Sequence, residues 1–280
     1  MTRAIALRAP AKLNLALAIV GERPDGYHEL RSVFATIDLA DDVRVATHRR
    51  LEVRNSIAMA DDVAARAVRV IARACGRDPT AFVRIRKRIP IAAGMGGGSS
   101  DAAAVLRALA ILWRVDVDLV ALAAEVGSDV PFFASGARVA LVLGRGEIVE
   151  PLPTPAEPLH VVVVRPTMRL STAEVFAAHR AEDGGALAHV DAIADAFVRG
   201  RMTPDLLRTH AENDLLAAAA RKCEAIASWR AAAAARGVPL ALTGSGPTLF
   251  SVADDRADAL RIARILRRAG LRARAHAVAL

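Results

Sequence analysis

Between Pro90 and Ala104 the chain reads PIAAGMGGGSSDAAA. Gly94, Gly96, Gly97 and Gly98 free the backbone for left-handed conformations and let a ligand approach the main chain closely. Ser99 and Ser100 then open a stretch whose apolar residues, Ala102, Val105, Leu106, Leu109 and Trp113, recur at the three-and-four spacing of an amphipathic helix. Unpaired amides at a helix start, with the helix dipole behind them, attract anions. The segment therefore predicts a phosphate loop. A Walker loop requires lysine after the last glycine, where this chain has Ser99. A dinucleotide loop requires an acidic residue closing a second strand about twenty residues on. Asp116 and Asp118 stand near that distance but lead into a helix. A flexible glycine linker is the other reading, but linkers rarely join a strand to so well patterned a helix.

Two charged residues elsewhere have the character of catalytic groups. Asp129 lies in GSDVPFF, after Gly127 and before Pro131, Phe132 and Phe133. A carboxylate beside such apolar residues is partly desolvated, which makes it a better base. A turn aspartate or helix N-cap is the alternative. Lys12 sits mid-strand among apolar residues, in a chain whose only other lysines are Lys87 and Lys222. Where arginine is used almost everywhere, a lysine suggests a need for a compact ammonium, although strand lysines also snorkel. Asn14, two residues on, shares its face. Tyr27, the only tyrosine, precedes His28 at a turn-to-strand junction, where one is expected buried and the other exposed. The turn Gly244-Ser245-Gly246 suits an anion-binding loop or a tight hairpin.

The elements that must position these groups follow from periodicity. Residues 5–20 alternate as a strand, with Leu13, Leu15, Leu17 and Ile19 on one side and Lys12 and Asn14 on the other. GERPDG is a loop. Strands are expected over Tyr27–Leu39, Val43–Thr47 and Phe82–Ile89, and helices over Asp61–Cys75, Ser100–Trp113 and Leu119–Val126. The four prolines of 150–158 (EPLPTPAEP) mark a domain boundary, giving units 1–152 and 153–280. The second begins with the β-branched run His160–Val164. Helices over Thr172–Arg180, Ala186–Val198 and Pro204–Ala235 come next. Strands Leu240–Thr243 and Thr248–Val252, helix Asp255–Ala269 and strand Leu271–Val278 complete it. That order predicts a ferredoxin-like sandwich.

Composition narrows the function classes. With 280 residues, 54% of them hydrophobic, the chain can bury a substantial core. No uncharged apolar run is long enough for a membrane span, and the N-terminus lacks the zones of a signal peptide. Two distant cysteines, Cys75 and Cys223, fit a reducing cytoplasm and suggest no zinc site. The net charge of +8 invites a nucleic-acid reading. However, the charge is spread as arginine over alanine-rich helices, and scarce aromatics leave no stacking platform. No nucleic acid and no membrane partner is expected.

The glycine segment resembles the central motif of the GHMP kinases. Its triple glycine with Ser-Ser-Asp is similar to one family among them, the 4-diphosphocytidyl-2-C-methyl-D-erythritol kinases. PAKLNLAL (10–17), RPDGYHEL (23–30), GSDVPFF (127–133), HAENDL (210–215) and LTGSGPTLF (242–250) agree with that family in its own order, over nearly the whole chain. The resemblance implies an α+β, two-domain fold: a ribosomal-S5-like N-terminal α/β domain and a ferredoxin-like C-terminal sandwich. It implies ATP as phosphoryl donor, with Mg²⁺ bridging phosphates, and a cytidine diphosphate alcohol as the small-molecule substrate. By the resemblance, Asp129 is the general base and Lys12 its partner beside the reacting hydroxyl. Pro90, Gly94, Gly96, Gly97, Gly98, Ser99 and Ser100 hold ATP, with Ser100 a candidate Mg²⁺ ligand. Tyr27 stacks on cytosine, His28 reads its edge, and STAEVF (171–176) brings Thr172 and an opposing aromatic, Phe176, which a helix-core role would equally suit. Asn14, Gly244, Ser245 and Gly246 complete the substrate side. Asp62 and Ala110 depart from the family's usual asparagines, which leaves the adenine contacts open. The expected assembly is a monomer or homodimer. Rival readings are a homoserine or mevalonate kinase and a non-catalytic sensor on the same fold; the DGYH segment speaks against the first, and the presence of both Lys12 and Asp129 against the second.

Overall fold

The computed structural model describes residues 3–24, 26–56, 62–165 and 168–278. Asp25 of the GERPDG turn and Asp61, the expected start of the first helix, lie outside the described residues.

In the first half, strands β1 (Ala4–Glu22), β2 (His28–Ala46), β3 (Glu52–Asn55), β4 (Phe82–Arg86), β5 (Val139–Gly144) and β6 (Ile148–Pro151) form one sheet. Helices α1 (Val63–Ala74), α2 (Gly97–Trp113), α3 (Leu119–Val126) and α4 (Val130–Ser135) pack on it. In the second half β7 (Leu159–Val164), β8 (Ala241–Leu242), β9 (Leu249–Ala253) and β10 (Ala273–Val278) run antiparallel in the order β10-β7-β9-β8. Helices α5 (Thr172–Ala177), α6 (Leu187–Val198), α7 (Pro204–His210), α8 (Leu216–Lys222), α9 (Glu224–Ala234) and α10 (Arg256–Arg268) accompany it. Both halves are α+β, as expected. Val278 pairs with Ile37, so β10 joins the two sheets. Leu13, Val33, Val161, Ile193 and Phe250 share one core cluster, so residues on both sides of the Pro-rich 150–158 segment pack together.

Several expectations need correction. Tyr27–Leu39 and Val43–Thr47 are one continuous strand, β2. It stays extended because it is shared: β1 pairs along its length, β5 with Leu30–Ala35 and β4 with Asp42–Ala46. Leu13 and Leu15 do not face the same way as Leu17 and Ile19. A register shift between Asn14 and Ala16 changes the alternation, so Leu17 and Ile19 pack in a different cluster. The strand expected to reach Ile89 ends at Arg86, because the amides of Arg88 and Ile89 both donate to Oδ1 of Asp41 instead of a ladder.

The helix expected over Pro204–Ala235 is three helices. Asn213 accepts from the Leu215 amide and donates to the carbonyls of Leu242 and Gly244. Asp214 accepts from the amides of Ile19 and Ala186. These bonds to distant backbone replace helical ones, and Cys223, with extended φ and ψ, makes the second break.

Candidate active site

The glycine loop is tighter than its composition suggests. α2 begins at Gly97, not Ser100, with Gly96 left-handed at φ 67° as its N-cap. The amides of Gly97, Gly98 and Ser99 are therefore first-turn amides that lack an intrahelical carbonyl, and the first turn carries no acidic residue to occupy them. The loop is tied to β1 by a bond from the Lys12 amide to the Met95 carbonyl, 3.0 Å. Left-handed φ is required at Gly94 and Gly96. At Gly97 the constraint is packing: a Cβ there would fall 2.9 Å from Cγ2 of Ile89.

β1 delivers Lys12 and Asn14 to the same place. Lys12 is 4% exposed and Asn14 1%. Nζ of Lys12 donates to Oδ1 of Asn14 at 2.7 Å, lies 3.3 Å from Oδ2 of Asp129, and sits 4.0 Å from the Phe34 ring centroid. An ammonium this buried is tolerable only with such partners. Asn14 is itself held, donating through Nδ2 to Ser32 Oγ (2.9 Å) and through its amide to Thr243 Oγ1 (2.8 Å). Asp129, which precedes α4 and makes no side-chain cap there, keeps 30% of its side chain exposed. Asp129 thus holds the N-cap position of α4 while its carboxylate is turned to Lys12 instead of capping the helix.

These groups open on one cavity of about 860 Å³. Lys12, Asn14, Tyr27, His28, Pro90, Gly94, Gly96, Gly97, Gly98, Ser99, Asp129, Thr172, Phe176, Gly244 and Ser245 all line it. The second half closes one side: Thr172 Oγ1 and Ser245 Oγ lie 3.0 Å apart. His28 and Phe176 face each other with ring centroids 5.3 Å apart, whereas Tyr27, about half exposed, has the Arg145 guanidinium over its ring at 5.4 Å. The ring nearest Phe176 is thus His28, and a base between Tyr27 and Phe176 would occupy the space that these three rings bound. Two expected residues do not open here. Gly246 lies behind the turn, against Leu242 and Gly94. Ser100 is in the helix proper, 2% exposed, and lines a different cavity.

Sequence reasoning missed a buried triad behind the loop. Lys87 Nζ donates to Oδ2 of Asp41 (2.5 Å) and of Asp101 (2.6 Å), and none of the three side chains is more than 3% exposed. Lys87 also lines the cavity. Lysine scarcity was the available signal, since it marks Lys87 as it marked Lys12. Burial pushes the Asp101 carboxyl up to about 7, against the opposing pull of Lys87. Its folded pKa is above the unfolded value near 4, so the folded state holds the extra proton between them. Its contribution is complete below about 4 and is lost as pH rises through about 7. Denaturation midpoints should therefore decline over that window, and Asp101→Asn should flatten the decline. An unchanged slope in the variant would count against this assignment.

The described residues contain no group of three or more His, Cys, Asp or Glu able to hold a metal, and no helix long and apolar enough to cross a membrane. Comparisons with known proteins show the family and the fold. The family models "GHMP kinases N terminal domain" and "GHMP kinases C terminal" match residues 62–137 and 193–271. A 4-diphosphocytidyl-2-C-methyl-D-erythritol kinase of Gloeobacter violaceus is 37% identical over 94% of this chain and 90% of its own length. One from Thermus thermophilus is 39% identical over 92% and 91%. A crystal structure of 4-(cytidine 5'-diphospho)-2C-methyl-D-erythritol kinase superposes with a TM-score of 0.81 at 37% identity, covering 98% of this chain and 99% of that one. A homoserine kinase from Cytophaga hutchinsonii, at 16% identity and TM-score 0.71, shares the fold.

Proposed function

Because the chain belongs to the 4-diphosphocytidyl-2-C-methyl-D-erythritol kinase family of the GHMP kinases, we propose that Lys12 and Asp129 carry transfer of the ATP γ-phosphoryl group to the 2-hydroxyl of that cytidine diphosphate alcohol. The products are the 2-phosphate and ADP, a step of the non-mevalonate route to isoprenoids. The observation that carries the reading is the pairing of the buried Lys12 with the partly exposed Asp129 at one cavity wall, with the amides of the α2 N-terminus at another.

Phosphoryl transfer needs positioning, charge neutralisation and a proton acceptor. The amides of Gly97, Gly98 and Ser99 bind the phosphates at the positive end of α2. Asp129 accepts the hydroxyl proton on Oδ1 or Oδ2. Lys12, fixed by Asn14, stabilises negative charge developing on the transferring group. A Mg²⁺ ion fits a site poor in protein carboxylates, since it is commonly held by substrate phosphates and water with one or two protein oxygens. Ser99 and Asp129, which both line the cavity, are the protein oxygens that would hold it; Ser100 does not line the cavity. When bound, the ion neutralises phosphate charge.

Tyr27 and Phe176 flank the cytosine and His28 reads its edge. Base–aromatic stacking is worth about 1–3 kcal/mol, so Tyr27→Ala should weaken substrate binding roughly ten- to a hundredfold, for cytidine and uridine forms alike. His28→Ala should instead shrink the cytidine-to-uridine preference in kcat/KM. ATP affinity should hold in both. A preference left intact by His28→Ala would remove the base-reading role, and a wild-type enzyme indifferent to cytidine would remove the substrate assignment.

A further inference from the structure

A second cavity, of about 430 Å³, is lined by residues of β1, β2 and α2 and shares no lining residue with the first. Its volume is within the range of small-molecule sites. Leu7, Ile37, Ala104 and Phe133 give it apolar walls. Three exposed arginines, Arg8, Arg107 and Arg138, also line it. Among the described residues, none of these guanidiniums forms an ion pair; Arg8 donates to the Asp38 carbonyl at 3.1 Å. The one carboxylate of the lining, Asp38, is engaged by Nδ1 of His276 at 2.5 Å. Three cations against one already partnered anion leave the lining positive.

A second observation points to a ligand. The Ser100 hydroxyl, in a residue 2% exposed on the wall of this cavity, has no hydrogen-bond partner. Buried hydroxyls are almost always satisfied, and an acceptor within the cavity would satisfy this one. Guanidiniums, a buried donor and apolar walls together match a molecule with an anionic, many-acceptor head and a short apolar body.

The cavity also abuts the catalytic machinery. Phe133 lines it, yet a Cβ placed on Gly96 would fall 3.0 Å from the Phe133 ring and 3.1 Å from Cγ of Lys12. Thr36, another lining residue, is the β2 partner of Lys12 in the sheet. One aromatic ring therefore separates the second cavity from the phosphate loop and the lysine.

We propose that this cavity is a second ligand site, for a small organic phosphate with a short apolar body, and that its occupancy lowers ATP affinity by moving Phe133 against Gly96. The guanidiniums of Arg107 and Arg138 and the Ser100 hydroxyl hold the head, while Leu7, Ile37 and Ala104 hold the body.

Hexyl phosphate is a suitable probe, with inorganic phosphate and hexanol as half-molecules. Calorimetry on the full chain should show hexyl phosphate binding more tightly than either. Joint Arg107→Ala and Arg138→Ala substitution, on exposed positions away from the catalytic cavity, should weaken it at least about tenfold and leave basal turnover unchanged. In wild type the KM for ATP should rise with hexyl phosphate and reach a plateau, as reciprocal coupling between two sites requires. Phe133→Leu should retain hexyl phosphate binding and lose most of that rise. No binding up to about 10 mM, or binding indifferent to the double arginine variant, overturns the site. A KM that climbs without a plateau places the probe in the ATP site and overturns it equally. A full rise retained in Phe133→Leu overturns the coupling.

Discussion

Asp129→Asn is expected to lower turnover by roughly 10²–10⁴ while leaving ATP affinity nearly unchanged. The amide keeps the shape of the carboxylate but accepts no proton, and the phosphates are held elsewhere, by the α2 amides. Lys12→Met should fall in a similar range, because the pair acts as a unit: Nζ lies 3.3 Å from Oδ2. For the same reason the double variant should cost little more than the worse single one. Single-turnover measurements of the chemical step, with separate nucleotide titrations, provide the check. Near wild-type turnover in Asp129→Asn would rule it out as the base. Fully additive losses would mean that the two side chains serve independent steps.

The second large effect is expected at Gly94. Its φ of 73° is left-handed, and a Cβ there would fall 2.7 Å from the Thr243 carbonyl oxygen and 2.9 Å from that of Gly246. Gly94→Ala adds about 1–2 kcal/mol for the left-handed backbone alone, and the overlap with main chain has no side chain that can swing away. The phosphate loop and the 244–246 turn must then part. A displacement of about 1 Å in positioning elements can cost 10²-fold in rate, so turnover should drop by at least about that factor, with a lower thermal midpoint. Gly98→Ala is the control: its Cβ would meet only Val63 Cγ2 at 3.9 Å. It should fold normally. If Gly94→Ala matches wild type in both rate and midpoint, the docking of loop on turn is not needed for activity.

The parts of the site legible in the sequence are those carried by contiguous residues. The phosphate loop showed in its glycines followed by a helical stripe, and Asp129 in the apolar residues after it. What was hidden depends on contacts between distant positions. The Lys87 triad joins Asp41 and Asp101 across 46 and 14 residues, and Thr243 reaches Asn14 across 229. Periodicity carries no trace of such pairings. The helix breaks at Asn213 and Asp214 were missed for the same cause, since both side chains serve backbone groups in other strands and loops. Gly97 was misjudged because four glycines within five residues look alike in sequence, whereas only Gly94 and Gly96 are left-handed. Ser100 followed the loop in sequence but faces another cavity once the helix starts three residues earlier.

The scarcity of lysine has a practical consequence for chemical handling. Lys12 is 4% exposed, the Lys87 side chain 2%, and Lys222, at the end of α8, is exposed. Acylating reagents attack unprotonated, accessible amines, so among the three lysines brief treatment of the folded protein directs a label to Lys222. Neither catalytic-side lysine is spent in the reaction. A dye, a tether or a resin can thus be attached through Lys222, which does not line the catalytic cavity, without recoding any codon.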